Sequence, residues 1–147
     1  MKFTRLFFLL LFSFGAENSI GIEFSELTIE VINIANTKGD VYISLYDSAD
    51  GFPVEEQKAI AVKSVKLGLG DSTSVKVTFS GLNEGYYAAA AYHDKNTNGR
   101  LDKIFGIPRE PYGATNDSKR KFSAPSFADA KIKINSNEKS FNVIDMQ

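Results

Sequence analysis

Three features of the sequence predict an all-β domain, an antiparallel β-sandwich of about seven strands of immunoglobulin-like or transthyretin-like type. Apolar and polar residues alternate with a period of two in one segment after another. Clusters of Asn, Asp, Gly and Ser separate those segments at regular spacing, and no stretch carries the 3.6-residue period of a long helix. With 147 residues, 43% apolar and 24% charged, the chain has the size and balance of one domain with its own core.

The opening residues, MKFTRLFFLLLFSFG, stand apart from this pattern. Lys2 and Arg5 precede the apolar stretch from Leu6 to Phe12, and small residues follow, which is the layout of a secretory signal peptide. Residues 1–15 form this leader, with cleavage after Gly15 or as late as Gly21, and residues 22–147 form a single sandwich domain. The apolar stretch is too short to cross a bilayer, which takes ~20 residues, and no later segment comes close, so no membrane span is expected. The chain contains no cysteine, which excludes disulfides, thiolate metal sites, a cysteine nucleophile and a lipid anchor on cysteine. A periplasmic or secreted, released protein is the expectation. Loss of Lys2 and Arg5 takes the 17 basic residues to 15 against 18 acidic ones, so the formal charge moves from −1 to −3. The remaining basic residues are scattered, and nucleic acid is not an expected partner.

The strands follow in order. Leu27, Ile29 and Val31 share one face and Thr28 and Glu30 the other; Val41, Ile43 and Leu45 oppose Tyr42, Ser44 and Tyr46. The turn Asn36-Thr37-Lys38-Gly39 between them predicts a hairpin. "DSADGFP", residues 47–53, breaks the pattern and reads as a connection between sheets, with a short helical turn through Glu55 and Glu56. Segments 58–67 and 74–82 alternate again. "GYYAAAAYH", 85–93, is almost wholly apolar and small, as suits a central strand covered on both sides. Segments 130–134 and 140–146 complete the set, with one helical turn expected at Ser126 to Ala130. Between Asp94 and Asp129 no strand pattern appears, and a connection that long is more often functional than not.

That connection begins with "HDKNTNGRLDKIFGIPREPYG", residues 93–113. Hard cations are held by several oxygens presented at alternating positions of a tightly curved loop. Asp94, Asn96 and Asn98 match the first, third and fifth positions of a helix-loop-helix calcium loop, Gly99 the bend at six, the Arg100 carbonyl the seventh and Asp102 the ninth. Position twelve, a bidentate glutamate in such loops, is Phe105. A structural calcium site here therefore has only two carboxylates, and its expected dissociation constant is ~10⁻⁴–10⁻³ M. Glu110 or Asp117 completes the shell only if the following loop folds back. The alternative is an ion-free turn, because Asp and Asn side chains imitate turns and Asn98-Gly99 is a strong hairpin signal.

The "IFGIPREPYG" segment, 104–113, has two readings. As an apolar cover it packs over one end of the sandwich and the loop. As a contact surface it makes the protein an extracellular glycan- or protein-binding module that uses Phe105 and Tyr112 in the 105–112 loop. His93 is the single histidine, and a hydrolase centred on it is the third reading; it needs an open pocket and a carboxylate or serine beside the imidazole. No nucleophile motif or phosphate loop accompanies it, so a non-enzymatic protein is expected. The sequence leaves oligomeric state open.

The stretch "GLNEGYYAAAAYHDKNTNGRLDKIFGIPREPYGATND" followed by "FSAPSFADAKIKI" resembles the bacterial domain-of-unknown-function family 2141, whose members carry HD-x-N-x-NG-x-L-D, GIP-x-E-x-YG and P-x-F-x-DA elements in that order. The resemblance extends from Leu27 to the C-terminus. It implies an exported immunoglobulin-like or prealbumin-like sandwich and no established activity.

Overall fold

The computed structural model describes residues 24–68, 73–118 and 123–146, so the leader expected at residues 1–15 lies outside the described residues. The alternating segments form the strands the period of two calls for. In β1 (Ser25–Ile32), Leu27, Ile29 and Val31 are buried while Thr28 and Glu30 stay half-exposed. In β2 (Asp40–Tyr46), Val41, Ile43 and Leu45 turn inward. β3 (Ala61–Lys66) and β4 (Val75–Leu82) follow, then the ten-residue β5 (Gly85–Asp94). Short strands β6 (Lys103–Ile104), β7 (Ile107–Pro108) and β8 (Tyr112–Ala114) come next. One helical turn, α1 (Phe127–Ala130), precedes β9 (Ile132–Ile134) and β10 (Lys139–Asp145). Ser126 caps α1 through its hydroxyl oxygen, which accepts the Asp129 amide at 3.2 Å.

Two sheets enclose the core. The smaller runs β10-β1-β4 and the larger β3-β2-β5-β8, with β9 paired to the start of β5 and β8 to its end. Leu27, Ile29, Val31, Phe79 and Ile144 from the first meet Val41, Ile43, Leu45, Ala89 and Ala91 from the second. The all-β sandwich is thus the fold the pattern predicts.

The connections differ from expectation in four places. β1 and β2 do not form a hairpin; they lie in different sheets, and the link between them crosses the sandwich, because alternation reports which face is buried and not which strand is the neighbour. Residues 47–53, expected to join the sheets, instead return β2 to β3 within the larger one, through a 3₁₀ turn at Glu56–Lys58. Pairing is antiparallel except between β1 and β10, which run parallel from Glu26 opposite Lys139 to Ile32 opposite Asp145; the first and last strands need no turn of their own. The stretch from Asp94 to Asp129 is not structureless but holds β6, β7, β8 and α1.

The alanines of β5 serve both faces. Ala89 and Ala91 meet the core, whereas Ala88 packs with Ala114 and Ala130 beneath Phe52 and Phe127, whose rings stand edge to face at 5.9 Å. Thr115, fully buried, ties these layers by donating to the Ala130 carbonyl at 2.6 Å and accepting the Ala89 amide at 3.1 Å. Where β8 passes β10, a methyl group on Gly113 would lie 2.6 Å from Ile144 Cγ2 and 2.7 Å from the Asp145 carbonyl oxygen. Gly113→Ala is accordingly expected to cost about 2 kcal/mol through forced separation of β8 from β10, read as a lower denaturation midpoint with an unchanged slope.

Candidate functional site

β5 carries the strand pattern as far as Asp94, and the chain then turns on side-chain oxygens. The Asp94 carboxylate, 0% exposed, accepts the amides of Asn98 at 3.2 Å and Gly99 at 2.7 Å. Asn96 accepts the Asn98 amide at 3.1 Å and Asn98 the Arg100 amide at 3.0 Å, so each Asx side chain closes the turn that follows it. Gly99 takes a left-handed φ of 74°, the conformation the bend was expected to need. The side-chain amides of Asn96 and Asn98 then both donate to Asp102, at 2.7 and 2.9 Å. Those two donors, with Arg100 beside them, hold the Asp102 carboxyl below the ordinary carboxylate range.

The loop's ends are joined by Glu110, which the sequence offers only as a candidate ligand. Glu110, 7% exposed, folds back and accepts the Lys95 amide at 2.8 Å and the Asp102 amide at 3.1 Å. In a calcium loop the twelfth-position glutamate clamps the ion with both oxygens; here Glu110 clamps two backbone amides. Its spacing in sequence gave no cue to this, since sixteen positions separate it from Asp94 and the contact depends on the hairpin between them.

That hairpin is β6-β7, with Ile104 opposite Ile107 and Lys103 opposite Pro108. Its two-residue turn places Phe105 at φ 51° and Gly106 at φ 79°, the paired left-handed conformation of a type I′ turn. The apolar-cover expectation fails at this point. Phe105, at the apex of the I′ turn, is 100% exposed, Ile104 is 51% exposed, and Ile107, 67% exposed, lines the cleft.

Beneath the hairpin lies a cleft of about 540 Å³. Cross-strand register explains its floor: on the outer face of the larger sheet Tyr42, Tyr92 and Tyr112 form one row, and Ser44, Ala90 and Ala114 the next. The Tyr42 and Tyr92 rings stack at 5.1 Å with 6° between their planes. Small side chains in the second row leave a trough, lined by Pro53, Val54, Glu56 and Gln57, by the hairpin and by Ser123–Pro125. Glu56, Arg100 and Lys103 are the charged residues of that lining. Burial, then the charge of Glu56, raises the Tyr92 phenol above its usual range, so it is a hydrogen-bonding hydroxyl at neutral pH.

His93 is elsewhere. Its side chain is buried on the inner face of β5, with Nε2 2.7 Å from the Lys38 carbonyl oxygen and Nδ1 without a partner among the described residues, and it does not line the cleft. Of the residues singled out in the sequence, Asp94, Asn96, Asn98 and Asp102 are brought into one network that includes the Arg100 backbone. Tyr112 lines the cleft, and Phe105 stands at the hairpin's apex. The cleft itself was missed, because the walls come from three separated segments.

Replacing Glu110 by Gln keeps its shape but turns one acceptor into a donor facing a backbone N–H. A loss of about 2 kcal/mol follows, together with faster hydrogen exchange at Lys95 and Asp102.

A family model described as "Uncharacterized protein conserved in bacteria (DUF2141)" matches residues 29–142. No curated protein matches the chain. Among solved structures, the crystal structure of a fimbrial assembly protein from Parabacteroides distasonis ATCC 8503 is similar at a TM-score of 0.45 and 9% identity. The match covers 84% of this chain and 52% of that one, so the chain spans about half its length.

Proposed function

The chain belongs to that bacterial family, and on this footing we propose that it is an exported, non-enzymatic binding module that holds an extracellular saccharide in the cleft between the β6-β7 hairpin and the Pro53–Gln57 wall. The cleft's composition carries this reading. Tyr92 and Tyr112 offer ring surface and hydroxyls, and Glu56, Arg100 and Lys103 are all part of the lining. A sugar has the matching chemistry, with C–H faces for aromatic rings and hydroxyls that both donate to a carboxylate and accept from a cation. The volume falls within the ~300–1,000 Å³ of small-ligand sites. Export is supported by the Lys2/Arg5 and Leu6–Phe12 leader pattern, and the non-enzymatic reading by the burial of His93 away from the cleft.

Saturation-transfer NMR against neutral and acidic oligosaccharides at millimolar concentration tests it. Tyr92→Ala is expected to weaken the retained sugar at least tenfold, and silence across both classes would remove the proposal.

A second reading concerns the 94–102 loop, which in this proposal takes a structural calcium ion. Its support is that the side chains of Asn96 and Asn98 gather on Asp102, their NH2 groups 2.7 and 2.9 Å from its oxygens, although each must turn its own oxygen off a backbone amide to meet the ion. Asp94, Asn96, Asn98 and Asp102, with the Arg100 carbonyl, would hold the ion, whose contribution is positive charge among the two carboxylates. Both oxygens of Asp94 and both of Glu110 already accept backbone amides, so an ion here competes with those bonds and weak binding follows. At calcium ten times the dissociation constant, stabilisation of about 1.4 kcal/mol, roughly 5 °C in Tm, is expected for chelator-treated protein and should be absent in Asp102→Ala. An unchanged melting curve in 10 mM calcium would withdraw the ion.

A further inference from the structure

Nothing in the folding of the β6-β7 hairpin accounts for the side chains at its tip. Phe105 holds a left-handed φ of 51°, a position where Asn or Gly is favoured in a type I′ turn, yet its ring is wholly exposed and meets no core residue. Ile104 and Ile107, a cross-strand pair on the same short hairpin, are exposed beside it. Lys95, Arg100, Lys103 and Arg109, in the same loop, are also exposed. Among the described residues no ion pair engages Lys95, Lys103 or Arg109, and Arg100 has only a 3.7 Å approach to Asp102. The loop's own acids are already committed: Asp102 accepts from Asn96 and Asn98, and Glu110 is buried on backbone amides. A chain whose expected exported form carries a net charge of −3 therefore has here four exposed basic residues against three carboxylates, Asp94 and Glu110 of them buried, in the loop that bears the apolar tip.

We propose that this hairpin docks the protein reversibly on an anionic lipid bilayer, with Phe105, Ile104 and Ile107 entering the interface and Lys95, Arg100, Lys103 and Arg109 meeting lipid phosphates. The shape favours a bilayer over a folded partner. A stable protein interface needs about 800 Å² from each side, more than three side chains on a two-residue turn present. A bilayer is deformable and accepts a small apolar wedge ~5–10 Å deep, with basic residues held at the headgroups. The docking goes beyond the saccharide reading: Arg100, Lys103 and Ile107 also line the cleft, but Phe105, on which the test below turns, does not.

Co-sedimentation of the exported chain with extruded vesicles tests this. One set is phosphatidylcholine with 30% phosphatidylglycerol, the other phosphatidylcholine alone, each at low and high salt. Binding to the anionic set is expected to be at least tenfold stronger and to fall with salt. Phe105→Asn, which relieves the left-handed φ and should melt no lower than the wild type, is expected to lose at least tenfold. A Lys103→Glu, Arg109→Glu pair is expected to lose binding to the anionic set alone. Equal partition into both vesicle sets, or Phe105→Asn binding as the wild type does, overturns the proposal. So does a wild type that ignores vesicles but forms a dimer which Phe105→Asn dissolves in sedimentation velocity, an outcome that assigns the tip to self-association.

Discussion

Two buried carboxylates hold the functional end of this molecule in shape. Asp94 and Glu110 place four oxygens against four backbone N–H groups, at Asn98, Gly99, Lys95 and Asp102. Buried charge is tolerable only when hydrogen-bonded, and buried amides only when accepted, so each group removes the other's penalty. The result is a rigid bend at the end of β5. From it the hairpin leaves at a set angle, and that angle decides whether there is a cleft below it and an apolar tip beyond it.

The same end of the sheet shows why the alanine strand is built as it is. An aromatic or β-branched residue at Ala90 would fill the trough between Tyr92 and Tyr46, and one at Ala88 would displace the Phe52 and Phe127 rings. Small side chains on both faces let β5 sit at the centre of the larger sheet, with core on one side and, on the other, a covered patch grading into an open cleft. Packing and site are thus set by the same four residues.

The family elements acquire physical roles in this arrangement. In HD-x-N-x-NG-x-L-D, the residues from Asp94 to Asp102 form a ladder of side-chain-closed turns. The glutamate of GIP-x-E-x-YG is Glu110, which ties the ladder's two ends, and its final glycine is Gly113, which admits β8 against β10. The P-x-F-x-DA element supplies Phe127 and Ala130, which cover Ala88. These elements are far apart along the chain, yet each touches β5 or the bend at its end.

Whereas β6, β7 and β8 carry no strand pattern, strands β1 to β5, β9 and β10, the face β1 and β2 bury, the central place of the alanine run, the helical turn at Ser126 to Ala130 and the curved Asx loop were determined by the sequence itself. Each follows from local causes: a period of two, a capping hydroxyl, and side chains that close their own turns. Tertiary structure alone decided that β1 and β2 part company, that β10 runs parallel to β1, that Glu110 returns to the loop, and that Phe105 faces water rather than the core. Those outcomes rest on which strand edges meet and on the angle at which a two-residue turn leaves the sandwich. Alternation fixes a residue's face but is silent about its neighbour across the sheet.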